Sequence, residues 1–139
     1  MTEQQNVPLC EYGIFKTAGN AENQACASGN DGWSFADFGN DEVGIKCATM
    51  EPGCRTKWHI HSNGAHVIAC VAGKALVQIK GQSAKTLNAG ETMSVPAGVL
   101  HWHGAAKDSR AQILVIHACP QGLAHEFFEP VDDADYEAI

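Results

Sequence analysis

From Trp33 onward the chain is a succession of short apolar runs separated by turn signals, and this punctuation constrains the fold more than any other feature. The runs are GWSFADF, EVGIKCATM, TKWHIH, HVIACVAG, ALVQIK, TMSVP, LHWHGA and QILVIHA. Between them stand Gly39-Asn40-Asp41, Pro52-Gly53, Asn63-Gly64, Lys80-Gly81, Asn88-Ala89-Gly90 and Pro96-Ala97-Gly98. Many short strands joined by Gly/Pro/Asn turns, with no helical period of useful length, predict an all-β sandwich or barrel. Residues 1–30 have no sustained period and read as an irregular N-terminal arm, with a single barrel domain over 31–139. The one helix expected is a turn or two near Pro130–Tyr136, where an aspartate can cap the start and early acids favour it.

A length of 139 residues suits one domain with a real core. The net charge is -7, and no basic stripe occurs, so nucleic acid and anionic membrane surfaces are excluded as partners. No apolar run approaches the roughly 18 residues of a membrane span, and the first residues lack the features of a signal peptide, so a cytoplasmic location is expected. The six cysteines, Cys10, Cys26, Cys47, Cys54, Cys70 and Cys119, show no C-x-x-C spacing, and most are expected as free thiols.

Chemistry concentrates in the histidines. His59 and His61 are two apart on a strand and share a face, while Trp58 and Ile60 take the other. His66 opens the next strand after a short turn, which can bring it beside the first two. His101 comes from a separate strand and shares its face with His103, with Trp102 opposite. Neutral imidazole suits divalent zinc, copper, iron and nickel. Together with Gly53, Gly73, Gly90, Pro96 and Gly98, the spacing points to a mononuclear metal site of His59, His61, His66 and His101. His103 lies outside that set and is either the proton carrier or a structural histidine. Lys57 shares the parity of His59. Cys70 and Ile68 share that of His66, so Cys70 faces inward as a packing residue or a redox partner. Trp58, Trp102 and Phe127 read as packing or interface aromatics. His117 and His125 have no assignable partner.

PGCRTKWHIHSNGAHVIACVAG fits G-x5-H-x-H-x4-E-x6-G at every spacing, and GETMSVPAGVLHWHGA fits G-x5-P-x-G-x2-H. The chain therefore resembles the cupin superfamily over residues 33–139. More narrowly, RTKWHIH, VPAGVLHWHGA and EFFEPVDDADY resemble the single-domain cupins related to carboxymuconolactone decarboxylase-associated proteins. The resemblance implies a double-stranded β-helix of the jelly-roll type and a homodimer, to which the first 30 residues could lend an arm. It implies little about reaction type, because one fold hosts many chemistries. The motif's usual Glu is His66 here, and the usual Asn after the second motif is Ala105. An all-imidazole shell leaves the metal its full double charge and favours iron, copper, nickel or zinc, with manganese less favoured. Two function classes follow. One is a metal-dependent oxygenase or lyase acting on a small carbonyl, enol or phenolic compound. The other is a non-catalytic module that binds or senses a small ligand or metal. Some relatives carrying WHxH and HWHGA look like hydroxynitrile lyases with a further histidine on the late barrel strand. Ungapped counting puts Ile113 there, which argues against cyanohydrin chemistry.

Overall fold

A computed structural model describes residues 7–18, 32–62, 64–118 and 125–139. The strands are β1 (Trp33–Asp37), β2 (Val43–Met50), β3 (His59–His61), β4 (His66–Ile79), β5 (Lys85–Asn88), β6 (Thr92–Val95), β7 (His101–Ala105), β8 (Ala111–Ala118) and β9 (His125–Phe127), followed by helix α1 (Asp133–Glu137). They form a curled antiparallel sheet in the order β1-β2-β8-β4-β7-β3-β9, with β5 and β6 also paired to β4. This is the all-β barrel with one short C-terminal helix that the run-and-turn pattern predicts.

β4 is the seam of the barrel. HVIACVAG and ALVQIK, read above as two strands, are one strand of 14 residues. Its first half pairs with β8 and β6, and its second half with β7 and β5. The register slips between Cys70 and Ala72. Gly73 follows at φ +72°, where a Cβ would lie 1.9 Å from the carbonyl oxygen of Arg110. The slip, with Gly73 just after it, is a bulge that bends the strand from one sheet into the other. The extra residue also exchanges the inward set. His66, Ile68 and Cys70 are buried before the slip, and Ala75 and Val77 after it.

Two apolar clusters hold the barrel. The inner one includes Met50, Ile68, Val77, Val95, Ile113 and Val115. The outer one packs Trp58, Leu76 and Trp102 against Val131 and Tyr136. Helix α1 therefore seals the back of the strands that carry the histidine pairs. Asp132 caps it, accepting from the Ala134 N–H at 2.7 Å. The Tyr136 hydroxyl donates to the Ala105 carbonyl at 2.5 Å, and the Arg55 guanidinium stacks on the Tyr136 ring at 4.2 Å while pairing with Asp133.

The described part of the N-terminal segment is tied to its own barrel. The fully buried Gln112 amide accepts from the Ile14 and Phe15 N–H groups at 3.0 and 3.1 Å, and donates to the Tyr12 and Phe15 carbonyls at 2.9 and 2.8 Å. Residues 1–6 and 19–30 of the expected arm, with residue 31, Cys26 and Cys119, lie outside the described residues. Cys10, Cys47 and Cys70 are free thiols. Cys70 is fully buried in the core, its S–H directed at the Ala72 carbonyl, and burial raises its pKa, which fits the packing reading. Among the described residues no helix is long and apolar enough to cross a membrane.

Candidate metal centre

Strand pairing brings all seven histidines of the chain into one cluster. β3 supplies His59 and His61, β4 His66, β7 His101 and His103, β8 His117 and β9 His125. Cross-strand register explains the convergence: His59 faces His101 and Phe127, His61 faces His125, and His66 faces His117.

The tightest group is His59, His61 and His101, whose ligand atoms all lie within 4.8 Å of one another. Their ring centres are 4.3 to 5.4 Å apart. His66 stacks on His61 at 3.8 Å and lies 4.9 Å from His101. His103 stands to one side, 5.5 Å from His59 and 6.3 Å from His101. Thr56 fixes its backbone, its hydroxyl accepting from the His103 N–H at 3.2 Å. Lys57 contributes its carbonyl, which bonds the His59 ring.

The donor set fits a transition metal. His61 Nδ1, both ring nitrogens of His66 and His101 Nε2 are buried with no hydrogen-bond partner. Each such orphan costs about 1–3 kcal/mol unless something completes it. A divalent ion shared among them removes that cost. Burial, followed by the charge of neighbouring histidines, pushes the pKa of His59 and of His66 down to about 3. His61, His101 and His103 are lowered for the same leading reason. Neutral imidazole is the form that ligates.

Three residues of the cluster escape a reading of the sequence. His117 is 5% exposed with neither ring nitrogen partnered. Its ring occupies the space over Gly44, where a Cβ would lie 1.8 Å from His117 Cε1. Its parity with Ile113 and Val115 is the signal that could have placed it inward. Ile113 itself is in the apolar core, so the histidine that β8 turns inward is His117, four residues on. His125 and Phe127 come from β9, which is too short to show a period. Phe127, read above as a packing or interface aromatic, places its ring 5.4 Å from that of His59, and the residue is 38% exposed.

A curled β-barrel with an internal histidine cluster defines a class of small metal-binding barrel, and the Cupin_2 cupin-domain profile matches residues 47–117. The chain belongs to the cupin family. It is 35% identical over 88 residues to an (R)-mandelonitrile lyase of Granulicella tundricola, an alignment covering 63% of this chain and 66% of that protein. Among solved structures it is similar to a cupin-like protein of Thermotoga maritima, with a TM-score of 0.80, 26% identity, and coverage of 90% of this chain and 95% of the other. The fold is also shared with a DMSP lyase of Ruegeria pomeroyi, at a TM-score of 0.63, 18% identity and coverage of 84% and 59%.

Proposed function

We propose that the chain is a small metal-dependent lyase for a hydroxylated or carbonyl-bearing compound. His59, His61, His66 and His101 hold one divalent transition metal, with iron, copper, nickel or zinc preferred over manganese. The observation that carries this reading is the convergence of unpartnered imidazole nitrogens from β3, β4 and β7 in one buried cluster. The likeness to a mandelonitrile lyase tilts the reaction class toward bond cleavage beside an oxygen-bearing carbon, and away from the oxygenase expectation.

When bound, the metal supplies Lewis acidity to a substrate oxygen. The chain's own groups do the rest. His103, outside the ligand group and with a buried, unpartnered Nδ1, takes the substrate hydroxyl proton as the neighbouring carbon bond breaks. It then returns that proton to the leaving group, so the histidine ends as it began. Phe127, partly exposed beside His59, offers an apolar surface to a phenyl-sized substituent. His117 keeps the late barrel strand polar where Ile113 does not, so cyanohydrins belong in the substrate panel.

The test is metal reconstitution under anaerobic conditions, followed by turnover assays over cyanohydrins, dicarbonyls and quinols. Cleavage of a hydroxylated substrate by the metal-loaded chain alone is expected. A chain that binds one metal and turns over none of them is a binding module instead.

A further inference from the structure

We propose that His125 is a fifth, displaceable ligand of the metal centre. The proposal rests on the four-histidine reading above. β9 runs antiparallel to β3 and sets His125 opposite His61. The His125 ring centre lies 4.4 Å from that of His61, at an interplanar angle of 73°, and 6.3 Å from that of His59, at 87°. Two imidazoles bound to one ion at about 2.0–2.1 Å place their ring centres roughly 4.5–5 Å apart when cis and roughly 6.5 Å apart when trans. His59–His101 at 4.3 Å and His66–His101 at 4.9 Å fall near the cis separation. By the same measure the separation of His125 from His61 is one that a shared ion would permit. It is also near enough to His59, His61, His66 and His101 for a charge on its ring to bear on each.

Its mounting differs from that of the other four. They sit on buried positions of the barrel. His125 is exposed, on a strand of three residues that pairs with β3 alone among the described residues. Such an edge moves at little cost, because few buried contacts hold it. If His125 joined the four barrel imidazoles around a bound ion, fewer positions would stay open, and a substrate chelating through two oxygens would have to displace it. A monodentate ligand need not displace it. The centre thus discriminates between ligand classes by a side chain that no cupin motif position marks.

Cobalt(II) reports the coordination number through its visible spectrum, and oxalate serves as the bidentate probe. Full-length protein loaded with one Co²⁺ is compared with His125→Ala and His125→Phe, the second keeping ring bulk without a donor. Both variants are expected to hold one Co²⁺ per chain with an altered spectrum, and millimolar imidazole should restore the original spectrum in His125→Ala. Oxalate should bind both variants about tenfold more tightly, since no ligand has to leave. Spectra and oxalate affinity unchanged in both variants overturn the proposal, as does loss of Co²⁺ from them, which would make His125 indispensable. The underlying reading fails separately, if the unmodified chain binds no Co²⁺ or if His59→Ala and His101→Ala retain it.

Discussion

His59 and His101 face each other as register partners across β3 and β7, and each ring bonds through Nδ1 to the carbonyl two residues before it, Lys57 and Val99, at 2.9 Å. A carbonyl only accepts, so Nδ1 carries the proton in both rings and Nε2 is left as the lone-pair donor. The backbone thereby selects the ligating nitrogen of two histidines before any metal arrives. His61 Nδ1 and His66 Nδ1 have no such partner.

Removing any one of His59, His61, His66 or His101 by substitution with Ala should therefore lower metal affinity by one to two orders of magnitude or more, read as metal per chain after dialysis. His66 is the discriminating position, because the motif usually holds Glu there. Full metal content in His66→Ala would reduce the site to the three histidines whose ligand atoms lie within 4.8 Å.

His103→Ala should keep the metal and lower turnover by about 10²–10⁴-fold. Trp102, one residue earlier and fully buried on the opposite face under α1, should behave in the reverse sense. Trp102→Ala is expected to cost about 3–5 kcal/mol of stability while leaving metal stoichiometry at one. Metal loss in His103→Ala would move that residue into the ligand shell.

The metal-free protein should be acid-labile. Burial lowers the pKa of His59, His61, His66, His101 and His103, and in the unfolded chain each returns to about 6.5. Above that value neither state binds the protons and stability is flat. Below it the unfolded state binds more protons, so stability falls with pH by about 1.4 kcal/mol per unit for each histidine until that residue's own lowered folded value is reached, about 3 for His59 and His66. Five such groups exhaust a typical reserve of about 5–15 kcal/mol within one to three units. Denaturant melts from pH 7.5 to 4.5 should show the metal-free midpoint collapsing by about pH 5, with the metal-loaded protein more resistant. A flat profile for the metal-free chain would contradict the buried, neutral cluster.

Gly44→Ala should displace His117, because the new methyl carbon would lie 1.8 Å from the ring. A loss of about 1–3 kcal/mol is expected for the overpacking. Adding His117→Ala should restore most of it, giving a coupling that a thermal-melt cycle measures directly. Additive losses would mean that the two residues do not meet.

Much of this protein was legible without coordinates. Period-2 alternation and Gly/Pro/Asn punctuation define the strands, and parity alone puts His59 with His61, His101 with His103, and Trp102 on the other side, because a pleated strand leaves each residue only two directions. Capping chemistry likewise locates α1. Tertiary structure decided the rest. The slip between Cys70 and Ala72 keeps β4 continuous as it passes from one sheet to the other, and no local signal separates that from two successive strands. β9 exists through its pairing with β3, so His125 and Phe127 enter the site by a partnership their own three-residue strand cannot announce. His117 faces the cluster by parity, but its room comes from Gly44 on a different strand. Local sequence carries direction along the chain, whereas distances between strands are set by register and packing, and a metal centre is defined by those distances.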